Sequence, residues 1–143
     1  GPVQLAIQTA LALFAAALWW GSLTAIGFMA VPLLFKFLPT PALAGNMAAR
    51  LFTAQTWLSV ACGVALLLAT KGAAVAGAGR ARATLFAVVL GMLLALLIEF
   101  AVAPRIVARE NLRLWHGVGT LMYVVQWLCA AIVLWRLADD KRG

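Results

Sequence analysis

Four apolar stretches, at about 5–35, 51–70, 83–103 and 114–135, nearly exhaust this 143-residue chain. Each is long enough to cross the hydrocarbon core of a bilayer, which takes roughly 20 residues of helix. Within that core only helices and closed barrels satisfy their own backbone groups, so four long apolar runs dictate helices. The expected fold class is therefore all-α integral membrane, a four-transmembrane-helix bundle forming one domain over 1–143. Composition agrees, since 66% hydrophobic and 10% charged residues lie outside the range of soluble domains. The first stretch is too long for a removable signal peptide and lacks its cleavage pattern, so it is expected to be a permanent span.

Four spans place both termini and the middle connection on one membrane face, and the first and third connections on the other. The middle connection, KGAAVAGAGRAR at 71–82, is rich in Gly and Ala and is expected to be a flexible, solvated basic loop. Lys71, Arg80, Arg82, Arg136, Lys141 and Arg142 fall on its face, against Lys36, Arg50, Arg105, Arg109 and Arg113 opposite. The excess of Lys and Arg favours both termini on the cytoplasmic side.

A net charge of +7 can signal nucleic acid, but the basic residues here cap membrane spans and form no solvated domain with aromatic platforms. Membrane lipids with anionic headgroups are the expected partners, and nucleic acid is not. Cys62 and Cys129 fall deep within spans without the pairing of a redox or zinc motif, and are expected to be buried apolar residues. Met29, Met47, Met92 and Met122 lack metal-like spacing. No metal site is assigned, and no cofactor can be named from the residues.

The chain holds four acidic side chains and one histidine, yet the segment EFAVAPRIVARENLRLWH from Glu99 to His116 contains two of the acids, three arginines and the histidine. Span parity adds Lys36, Arg50 and Gln55 from the other hairpin to the same face. Glu99 lies one to two turns inside the third span on a stripe with Ala87, Gly91, Ala95 and Ala103, which predicts that it faces a neighbouring helix. Acids inside a membrane are candidate functional sites by default. Three readings of Glu99 stand open: cation or proton binding, general acid chemistry, or a structural ion pair with Lys36, Arg50 or the arginines of the third connection.

A continuous helix from Arg105 would place Arg105, Arg109, Arg113, His116, Thr120, Tyr123 and Trp127 within about 80° of arc. Such a face would grade from cationic to aromatic with depth and suit an anionic or amphipathic ligand. The chain must turn near Glu110 and Asn111, so the stripe is secure only from Arg113 inward. His116 is a candidate ligand, base or hydrogen-bonded anchor. The candidate ligand-binding residues are thus Glu99, His116, Arg113, Arg109, Arg105, Arg50, Lys36, Gln55 and Tyr123, with no catalytic residue assigned.

A weak repeat divides the chain into two hairpins. Phe28, Pro32 and Lys36 close the first span as Phe100, Pro104 and Arg109 close the third, and Arg50 with Phe52 precedes the second as Arg113 with Trp115 precedes the fourth. Two parallel repeats about an axis normal to the membrane would produce this pattern, and so would chance similarity between apolar helices. Each proline should disturb its helix at the same depth, because it lacks the N–H that would bond Phe28 or Phe100.

The segments LWWGSLTAIGFMAVPLLF, NMAARLFTAQTWLS and APRIVARENLRLWHGVGTLMYVVQW resemble a small bacterial membrane family, the domain of unknown function 4149, related to eukaryotic transmembrane protein 205. The resemblance covers nearly the whole chain and implies a four-span module in the bacterial inner membrane. It hints at transport or trafficking and carries over no catalytic residue. The leading functional expectation is a protein that binds or transports a small or amphipathic ligand at the charged face, as a homodimer and not as an enzyme. The alternatives are an intramembrane enzyme or haem-associated oxidoreductase using Glu99 and His116, and a structural accessory subunit of a membrane complex.

Overall fold

A computed structural model describes residues 1–75 and 79–142, with the backbone alone at 72–75 and 141–142. The first span joins α1 (Pro2–Ala25) to α2 (Val31–Phe37) through a π-helical turn, Ile26–Ala30. The second span is one helix, α3 (Pro41–Val75). In the third span α4 (Gly79–Leu97) passes through a second π-helical turn, Ile98–Val102, into α5 (Ala103–Val107). The fourth is α6 (Leu112–Arg142). All four are long and apolar enough to cross a membrane, and no strand occurs among the described residues.

Each span packs against the spans before and after it, and the fourth returns to the first, so the bundle is an antiparallel square. Its interior is filled largely by small or polar side chains, among them Ala16, Ser59, Thr84 and Gln126, with Trp19, Leu23, Leu66, Val88 and Val133 as the large buried residues. Phe14, Phe86, Leu121 and Trp135 point outward. This inverted pattern suits a bundle whose outer surface meets lipid, where small residues allow helices to approach closely and polar ones bond across them. Trp19 depends on such an approach: a Cβ added at Gly91 would lie 2.5 Å from its ring.

The helices run further than hydropathy indicates. Residues 41–50 belong to α3, which starts at Pro41 in the first turn, where a missing N–H costs nothing, and the Thr40 hydroxyl accepts the Leu43 N–H at 3.2 Å. The middle connection is corrected in the same direction: residues 71–75 continue α3 and 79–82 already belong to α4. Its centre, 76–78, lies outside the described residues. Alanine is the best helix former, and stretches such as ALAGNMAA and KGAA extend a helix into the interface despite their low hydropathy.

Both prolines sit just past a π turn. The Val31 N–H bonds the Ile26 carbonyl and the Ala103 N–H bonds the Ile98 carbonyl, each five residues back, immediately before Pro32 and Pro104. A proline ring clashes with the carbonyl four residues earlier, and a wider turn shifts that carbonyl away. The same spacing, Ile26-Gly27-Phe28 to Pro32 and Ile98-Glu99-Phe100 to Pro104, gives the same local structure in both hairpins. Position by position, Gly27 in the first corresponds to Glu99 in the second.

Candidate functional site

Glu99 lies within the second π turn, half-buried, facing the second span. Its two carboxylate oxygens accept the Thr53 hydroxyl at 2.9 and 3.1 Å. None of the expected cationic partners reaches it: among the described residues Glu99 forms no ion pair, with Lys36, Arg50, Arg105, Arg109 or Arg113 or any other base. Those cations are exposed, Lys36, Arg105 and Arg113 near helix ends, Arg109 in the reversal and Arg50 nine residues into α3, where water and headgroups can solvate them, whereas Thr53 sits one turn inside Arg50. A single hydroxyl donor leaves most of the carboxylate's accepting capacity unused, which is costly for a charge at this depth.

The third connection closes α5 with a tight cap. The Arg109 N–H bonds the Ile106 carbonyl and the Glu110 N–H bonds the Arg105 carbonyl, both at 3.0 Å, with Arg109 in the left-handed region at φ 59°. This paired arrangement normally places glycine where Arg109 stands. Asn111, at φ 32°, then accepts the Leu114 N–H on its side chain at 3.3 Å and starts α6. The turn expected near Glu110 and Asn111 is thus present, and the stripe does not reach back to Arg105 and Arg109, because Arg105 and Arg113 belong to different helices with a reversal between them. Arg105 turns back over the Trp115 ring, 4.6 Å from its centroid, and pairs with Glu110 at 3.5 Å.

The remaining candidates separate into a rim and an interior. Arg50, Arg109, Arg113 and His116 are exposed, and Lys36, also exposed, lies 5.4 Å from the Phe37 ring centroid. Tyr123 does not join them. It is buried, and its hydroxyl donates to the Leu23 carbonyl of α1 at 2.6 Å, with its ring in space that a Cβ at Gly27 would occupy. Phe28 and Phe52 meet it edge-on, and Phe28 also meets Trp127, which stacks on Trp20.

Gln55 is likewise interior, donating to Ser22 at 3.0 Å and Ser59 at 3.1 Å while its carbonyl oxygen lacks a partner. Deeper still, Trp19 donates to Gln126 at 3.2 Å, while Trp127 donates to Thr24 at 2.8 Å, two residues nearer the Glu99 face than Ser22. The site thus has three levels: exposed cations, the Glu99–Thr53 pair about one turn inside, and an interior polar layer.

Sequence reasoning missed the opposite end. Arg80 of α4 bonds Asp139 at 2.8 Å and also Asp140, tying the start of the third span to the end of the fourth. The signal is present in the sequence, since span parity places these residues together, but the denser charge cluster lies at the other face. The side chains of Lys141 and Arg142 lie outside the described residues. Among the described residues no three of His, Cys, Asp and Glu form a metal-binding group.

An inverted bundle of four apolar helices, with charges at its two ends and a polar layer within, defines a polytopic membrane protein. The chain belongs to the family of the domain of unknown function DUF4149, whose model matches residues 14–114, from the first span to the start of the fourth. The match shows this family and does not extend to transmembrane protein 205. No curated protein and no solved structure matches the chain.

Proposed function

We propose that this protein binds an amphipathic ligand at the Glu99 face, with an anionic head among the exposed cations and a hydrogen-bond donor directed at Glu99. One observation carries the reading: Glu99 has the Thr53 hydroxyl and no cation among the described residues, so its carboxylate has accepting capacity to offer. Six residues separate Glu99 from Arg105, about 9 Å of helix rise, and long arginine side chains can span much of that distance. A ligand with an acidic head and a hydroxyl or amide just below it matches both levels. Lipid-facing Trp57 and Phe100, in edge contact at 6.1 Å, flank the site and suit the ligand's apolar body.

The bundle centre is closed by Trp19, Leu66, Val88 and Val133, all fully buried, so binding is favoured over a permanent conduit through one chain. If the ligand is moved across the membrane, a second copy or a rearrangement of the π turns is needed, and a homodimer is part of this proposal. The acid–base alternative finds less support, since no hydrogen bond joins Glu99 to His116 among the described residues. An inner membrane is taken as the setting in this proposal, with both termini cytoplasmic as the Lys and Arg count favours.

A dansyl-labelled lysophosphatidic acid, with a phosphate head and one free hydroxyl, tests the reading. Energy transfer from tryptophan should report saturable binding, and Trp57→Phe should reduce the signal more than Trp135→Phe. Glu99→Gln should weaken binding about tenfold, as expected for loss of a hydrogen bond to a charged group.

A further inference from the structure

A cleft of about 360 Å³ opens at the opposite face, between α1, α3 and α6, where the termini lie. That volume is in the range of small-molecule sites, roughly 300–1,000 Å³. Its walls include Ala12, Ala69 and Leu137, and its polar lining comprises Gln8, Thr9, Thr70 and Asp140. Leu137 and Asp140 lie two and five residues beyond Trp135, about 3 and 8 Å further along α6. Trp135 is outward-facing, as expected for an interfacial ring, so the polar mouth stands at headgroup level while Ala12 leads into the hydrocarbon region.

The lining is biased toward acceptors. The Thr9 hydroxyl donates to the Leu5 carbonyl at 2.9 Å and the Thr70 hydroxyl to the Leu66 carbonyl at 2.7 Å, so each spends its only proton on its own helix. What both offer the cleft is lone pairs. Asp140 accepts the Arg80 Nε on one oxygen, and its other oxygen has no partner among the described residues. Arg80 is itself shared with Asp139, so one guanidinium serves two carboxylates. Gln8 contributes the one amide, which can donate as well as accept.

We propose that this cleft binds a phospholipid with a primary ammonium headgroup. Its ammonium carries three donors for Asp140, Thr9 and Thr70, its phosphate can take the Gln8 amide, and one acyl chain follows Ala12, Ala69 and Leu137 inward. A quaternary choline headgroup has the same charge and no donor, and a glycerol headgroup leaves the lipid anionic, so the lining discriminates against both. This site is separate from the Glu99 face and does not depend on the function proposed there.

Native mass spectrometry of the detergent-solubilised full chain, titrated with ethanolamine, choline and glycerol phospholipids of identical acyl chains, tests it. The wild-type protein should retain the ethanolamine lipid about fivefold better than the other two, the discrimination expected from roughly one net hydrogen bond. Asp140→Asn should bring that ratio to about one, whereas Asp139→Asn, which does not line the cleft, should preserve it. Ala69→Phe, which fills the cleft and leaves every charge in place, should lower retention of the ethanolamine lipid about fivefold. Equal retention of the three lipids by the wild type, an unchanged preference in Asp140→Asn, or undiminished retention in Ala69→Phe would each overturn the proposal.

Discussion

The Tyr123 hydroxyl donates to the Leu23 carbonyl at 2.6 Å, and its ring occupies the space that a side chain at residue 27 would need, with a Gly27 Cβ only 2.3 Å from the ring. Leu23 is four residues before Gly27, so the fourth span bonds into the first just where the helical ladder widens into its π turn. Insertion of a side chain into the ladder is a recognised cause of such irregularity, and the following Pro32 is another. Tyr123→Phe should therefore cost about 1 kcal/mol, the net contribution of a buried hydrogen bond whose acceptor keeps another donor, since the Leu23 carbonyl still accepts the Ile26 N–H. Gly27→Ala should cost about 1–3 kcal/mol by overpacking. Thermal unfolding in detergent checks both, and the double substitution should be less than additive, since both disturb one contact.

Arg109 stands at the left-handed position of a cap that favours glycine, which costs a non-glycine residue roughly 1 kcal/mol. Arg109→Gly should raise the melting temperature by a few degrees, because the strain is relieved and the exposed side chain gives up no ion pair found among the described residues. A lower melting temperature would show that the Arg109 side chain contributes more than its backbone conformation costs.

At the other end, Arg80 bridges α4 to Asp139 and Asp140, with side chains about half exposed. Solvent and salt screen such pairs, so Arg80→Gln should lower stability by no more than about 1 kcal/mol. The difference from wild type should shrink when ionic strength is raised, as the Debye length falls from about 10 Å at 0.1 M to about 3 Å at 1 M. Melting curves at the two salt concentrations measure this directly.

The four spans and their parity were legible because apolar run length is set by bilayer thickness and does not depend on packing. Helix ends were not: residues 41–50 and 71–75 extend α3 through alanine-rich stretches whose helicity hydropathy does not register. The positions of Pro32 and Pro104 marked both irregular turns, though not their π geometry. Glu99 was identifiable as an inward-facing acid, but its partner was not, since an exposed arginine has solvent as an alternative and the nearby threonine carries no charge to draw attention. Helical phase places Tyr123 on the stripe running inward from Arg113, but phase alone does not say what that face meets, and its place opposite Gly27 depends on contacts between distant spans.

The central claim is that the Glu99–Thr53 pair binds a ligand and does not merely join the second and third spans. Titration of dansyl-labelled lysophosphatidic acid into wild type, Glu99→Gln and Thr53→Val, beside melting curves of the same samples, tests it most directly. The account predicts that Glu99→Gln weakens binding about tenfold while stability changes by less than about 1 kcal/mol. Thr53→Val should weaken it less, because the carboxylate remains. Unchanged affinity in Glu99→Gln together with a large fall in melting temperature would contradict the account and assign the pair to holding the two helices together.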